Sequence, residues 1–138
     1  MSAPGVGFAR VVFLAAGLTG ILELLPLYFY QAALDRARPL TYPEFYYGFI
    51  GVALAWQVAF LIISRDPARY RPLMPAIFLE KLLYPVAAHF LYAHGRLGWK
   101  PMLDGAGLDL AWLVLFVVAW LRLGRGAAPG PQAPAENR

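Results

Sequence analysis

Apolar residues fall into four long blocks along the chain, separated by short segments rich in arginine, tyrosine, proline or glycine. The blocks cover about residues 11–33, 45–64, 73–93 and 103–121. A helix needs roughly 20 apolar residues to cross the hydrocarbon of a bilayer, so each block reads as a membrane span. The strongly apolar core of the fourth, Leu110 to Leu121, is too short alone. A full span draws in Asp109 and puts Asp104 near the interface. The strict apolar–polar alternation of barrel strands is absent, and backbone groups in lipid must be satisfied internally, so the spans are expected to be helices. The first block is longer than a signal-peptide core of about 7–15 residues and is read as a retained helix.

Local signals set the expected ends. Thr41-Tyr42-Pro43-Glu44 fits a capping box with proline in the first helical turn. Asp66 is placed to cap a turn begun by Pro67, and His94-Gly95 offers a stop. The segment 126–138 is Pro-, Gly- and Ala-rich with nothing to bury, and is expected to be a disordered cytoplasmic tail. The expected fold is therefore all-α: one integral membrane domain, a four-helix bundle running up-down-up-down because its connections are short.

Composition agrees with that pattern. Hydrophobic residues make up 60% and charged residues 14% of the 138, against roughly 45–50% and about 25% in soluble domains. A soluble chain of this length could not hide so much apolar surface. The net charge of +4 sits between the blocks rather than on one helix face, which favours membrane orientation over nucleic acid. There is no cysteine, so disulfides and thiolate chemistry are excluded. Arg10, Arg65, Arg69, Arg71, Arg122 and Arg125 fall on one side of the bilayer, against Arg36, Arg38, Arg96 and Lys100 on the other. The excess predicts cytoplasmic termini in a bacterial inner (plasma) membrane. Arg65, Arg69 and Arg71 are read as contacts with anionic lipid headgroups.

Polar residues inside the spans are the candidate chemistry. Counted at ~1.5 Å per residue from the arginine-rich side, Glu23 and Asp109 lie at roughly 20 Å, Lys81 at about 15 Å, Glu80 at about 13 Å and Gln57 at about 12 Å. All fall in the middle half of a ~30 Å hydrocarbon core. Charged groups at that depth cost roughly 2.5–3.5 kcal/mol each on insertion scales and turn toward the bundle interior. Lys81 is expected to pair with Glu23 or Asp109. Glu80, about 100° away on the same helix, is expected to bond Gln57 or Tyr84 instead. Lys81, Pro85 and His89 recur every four residues as one stripe, which would put His89 at the outer mouth of a crevice. Pro26 and Pro85 each release a backbone carbonyl nearby. Among Gly17, Gly20, Gly48, Gly51 and Ala55, the pair Gly51 and Ala55 has the small-xxx-small spacing of close helix contacts.

No phosphate-binding, dinucleotide-binding or catalytic signature occurs, and no second histidine stands at ligand spacing from His89. No cofactor, metal or nucleic acid is expected. The expected partners are the lipid bilayer, a small hydrophobic ligand, and another copy of the chain or a membrane partner. The polar layer supports binding of a small amphiphile, ion or proton. Two alternatives stand beside that. The same residues can fix only helix register, in a structural or interaction subunit. Or Glu80 or Asp109 can act with His89 in a lipid-modifying enzyme.

Leu25-Pro26-Leu27 at the end of the first span, Tyr46-Tyr47-Gly48 in the second, and Arg65-Asp66-Pro67 before Leu79-Glu80-Lys81 carry a resemblance over residues 10–123. The plan resembles small four-helix bacterial membrane proteins of the DoxX-like group. That resemblance implies a four-helix membrane fold and no particular activity. A weaker likeness, to sterol-isomerase-like four-helix proteins, rests on their membrane-embedded acids and aromatics and transfers no residue.

Overall fold

The structure, a computed structural model, describes residues 4–34 and 41–125. Four helices account for nearly all of them: α1 (Pro4–Leu34), α2 (Pro43–Arg65), α3 (Met74–Ala93) and α4 (Trp99–Arg125). A single 3-10 turn, Arg71–Leu73, leads into α3. Among the described residues there is no strand. All four helices, α3 counted with the turn that leads into it, are long and apolar enough to cross a membrane, over 26, 23, 23 and 26 residues. At ~1.5 Å per residue each exceeds the ~30 Å of hydrocarbon. Their outward faces are greasy: Leu22, Phe45, Val52, Phe90 and Val114 are all at least 60% exposed. Such surface is costly in water and costless in lipid. The chain is thus an all-helical, multi-pass membrane protein.

Helix ends differ from the sequence expectation in instructive ways. α1 starts at Pro4 rather than Val11, and α4 at Trp99 rather than Leu103. Arg10 and Lys100 interrupt the apolar runs without interrupting the helices, so the apolar spans begin at Gly5 and Trp99. The capping box is not formed: Tyr42 is the N-cap of α2 and no side-chain cap bond is made there. Pro43 at the first helical position, with Glu44 beside it, starts the helix without one. Asp66 behaves as expected, its Oδ1 accepting the Arg69 N–H at 3.2 Å, while Pro67 is buried beneath the turn. The expected tail, 126–138, lies outside the described residues, as do Arg36 and Arg38.

α1 packs along α2 and along α4, and α3 packs along α4; α2 and α3 share no comparable face. The start of α1 meets the end of α4, with the Arg122 guanidinium 4.3 Å from the Phe8 ring. The end of α1 meets the start of α2, with the Tyr46 hydroxyl donating to the Leu27 carbonyl at 3.2 Å. These contacts make neighbouring helices antiparallel.

The close-packed core lies in one half of the bundle. Ala9, Phe13, Phe60, Ile63, Met74, Ile77, Phe116 and Leu123 belong to it, and each comes from the half of its helix nearer the arginine-rich end. Phe13 stacks on Phe116 at 4.7 Å, and Phe60 leans on the same ring at 5.1 Å. Arg71 is drawn into this end. Its guanidinium lies 4.5 Å from the Trp120 ring, its Nε donates to the Trp120 carbonyl at 3.4 Å, and Gly124 leaves room for it.

Candidate functional site

Above the packed half, where α2 and α3 are not packed together, a cavity of about 620 Å³ opens. α2 contributes Val52, Trp56 and Phe60 to its walls, and α3 contributes Leu79, Leu83 and Tyr84. α1 reaches it with Gly20 and Glu23, and α4 with Asp109 and Trp112. Every helix therefore supplies lining, and the free gap is the one between α2 and α3.

The polar cluster sits at the base. Lys81 Nζ donates to Asp109 Oδ1 at 3.0 Å, joining α3 to α4. It also lies 3.3 Å from Glu80 Oε1. The three side chains are 10%, 21% and 20% exposed, so the group is largely withdrawn from its surroundings. Lys81 Nζ lies 5.8 Å from the Phe60 ring centroid, at the boundary between core and cavity. Depth predicted this pairing from one of two candidates; Glu23, the other, lines the cavity as an exposed side chain and makes no ion pair among the described residues.

Two expectations about this cluster need correction. Glu80 and Lys81 do converge. Their Cα directions differ by about 100°, but the four-carbon stem of lysine bends far enough to bridge them. Glu80 bonds neither Gln57 nor Tyr84: Oε1 goes to Lys81, while Oε2 is buried with no hydrogen-bond partner among the described residues. Gln57 is buried, and its Nε2 donates to Ala53 O at 3.0 Å on its own helix. Its other end presses on Gly20, where a Cβ would overlap it.

His89 is the third correction. It is exposed and is not among the cavity residues. Steps of four residues drift by about 40° each, so two steps from Lys81 carry His89 about 80° off the line. The buried face of α3 runs Met74, Ile77, Lys81, Pro85, Ala88. Glu80 and His89 are nine residues apart, about half a turn out of phase, which separates the acid–histidine pair an enzyme would need. Pro85 leaves the carbonyl of Lys81 without its usual helical donor, adding an acceptor beside the cluster.

The close helix contact also falls elsewhere than expected. Gly51 and Ala55 face outward, and a Cβ on Gly51 would touch nothing within 4 Å. Gly17 and Gly20 on α1 make the close approach to α2 instead. Of the expected headgroup residues, Arg65 and Arg69 are exposed, whereas Arg71 is half-buried against Trp120. The aromatic walls, Trp56, Phe60 and Trp112, were not singled out from the sequence. A signal was available: Trp112 follows Asp109 by three residues, Phe60 follows Gln57 by three and Trp56 precedes Phe60 by four, so helical spacing links the three rings to the polar residues.

Family models, curated proteins and solved structures were compared with this chain, and none matches it.

Proposed function

We propose that the protein binds an amphiphile from the bilayer in the cleft between α2 and α3, head toward Lys81, Glu80 and Asp109, tail along the apolar walls. The observation that carries this reading is the cavity itself. Its volume is within the roughly 300–1,000 Å³ of small-molecule sites, and its walls are mostly apolar around a few convergent polar groups. A lateral gap between two membrane helices lets a lipid-soluble molecule enter without crossing water. The likeness to small DoxX-like membrane proteins belongs to the same reading and adds no activity to it.

A long-chain alcohol bearing a photoactivatable diazirine tests the cleft. In membranes holding the full chain, the expected label falls on Val52, Leu79 and Leu83, and Ala76→Trp, which fills the cleft, removes it. Labelling spread evenly over outward residues such as Val86 and Val114, unchanged by Ala76→Trp, would reject the reading.

A register role has support from the same ion pair, since Lys81 to Asp109 fixes α3 against α4. The orientation rests on charge. Arginine-rich segments are retained on the cytoplasmic side, so the end carrying Arg10, Arg65, Arg69 and Arg122 is assigned there, in a plasma membrane of bacterial type. Alkaline phosphatase fused after Arg138 should then be inactive in bacterial cells; an active fusion reverses the assignment.

A further inference from the structure

The charge and the walls of the cleft narrow the class of occupant, given that the cleft binds an amphiphile at all. Three carboxyl groups, Glu23, Glu80 and Asp109, share the cavity with one ammonium, Lys81. Lys81 divides itself between Glu80 and Asp109, so one cation answers two acids. Glu80 Oε2 is a buried acceptor with no donor among the described residues, and such an atom gives up its hydration without return. The walls supply a second, independent pointer. Trp56, Phe60, Tyr84 and Trp112 surround the same space, and the faces of aromatic rings attract cations. Lys81 already places its own ammonium 5.8 Å from one of them. A carboxylate or phosphate head would meet three groups of its own sign where dielectric screening is weak.

We infer that the occupant is a hydrophobic amine. Its protonated amino head is taken by the Glu80 carboxylate, which turns Oε2 toward the cavity to accept from it, and faces Glu23, with aromatic rings around it. Its tail runs out along Val52, Leu79 and Leu83 into the bilayer. No bond is made or broken; the head group exchanges hydration for these acceptors.

The test is a competition. The full chain in detergent micelles is given equal amounts of dodecylamine, dodecanol and dodecanoate, and bound adducts are counted by native mass spectrometry. The amine adduct is expected to exceed the dodecanoate adduct by about tenfold. Glu80→Gln should bring the amine down to the level of the alcohol, and Glu23→Gln, at an exposed position with no ion pair among the described residues, should lower it too. The ratio in the unaltered chain is informative even if Glu80→Gln folds poorly. Equal or greater binding of alcohol or dodecanoate, abolished by Leu79→Trp, overturns the amine inference and leaves the cleft as an amphiphile site. If no adduct of any of the three is lost in Leu79→Trp, the cleft reading fails as well.

Discussion

Lys81→Met should be the most damaging single substitution in the bundle. It removes the one ammonium that Glu80 and Asp109 share and leaves two carboxyl groups facing each other with little solvent. Breaking a buried pair by deleting one partner typically costs about 3–5 kcal/mol, because the remaining charge stays buried and unanswered. The three side chains keep some exposure, so a loss of about 3 kcal/mol is expected, read as a shift in the unfolding midpoint when SDS is titrated into mixed micelles. Lys81→Met with Asp109→Leu should recover part of that loss by removing one of the two orphaned acids and refilling its space. A double variant no more stable than the single one would mean that the pair does not couple α3 to α4.

Gly17→Ala should rank second. A Cβ there would sit 2.9 Å from the Gln57 carbonyl oxygen and 2.7 Å from Leu61 Cδ2. The leucine methyl can turn away, but the carbonyl belongs to the α2 backbone, so α1 and α2 must separate. Overpacking of this kind costs about 1–3 kcal/mol. Gly51→Ala in the facing helix is the control. It meets nothing, and alanine is the better helix former by up to about 1 kcal/mol, so its sign should be opposite or its effect nil. Equal losses at both positions in the same SDS titration would contradict the α1–α2 packing.

This contrast shows where sequence patterns stop. Gly51 and Ala55 match the four-residue spacing of close helix contacts, yet spacing does not say which face meets a neighbour. Gly17 and Gly20, three apart, do. The four spans were legible because long apolar blocks leave a chain few other solvents than lipid. The helix starts at Pro4 and Trp99 were not, since Arg10 and Lys100 break the apolar runs without breaking the helices. For Lys81, depth narrowed the partner to Glu23 or Asp109, which lie equally deep, and did not choose between them. Glu80 was misjudged by treating Cα direction as side-chain reach, and His89 by treating a spacing of four as a straight line on a helix of 3.6 residues per turn. The gap between α2 and α3 has no signature in the sequence. It arises from how two helices with ordinary apolar faces sit on α1 and α4, and the cavity with its aromatic walls comes with it.

The ion-pair layer is expected to lie deep in hydrocarbon. The chain has no cysteine, so single cysteines can be introduced without background. Leu82 and Leu110 are exposed, flank Lys81 and Asp109 in sequence, and do not line the cavity. Nitroxide labels there, in liposomes, should collide freely with oxygen and scarcely with a water-soluble nickel chelate, as mid-bilayer labels do. A label at Arg69 should show the reverse. If the labels at Leu82 and Leu110 meet nickel as readily as the one at Arg69, the polar cluster is not within the membrane and the account is wrong.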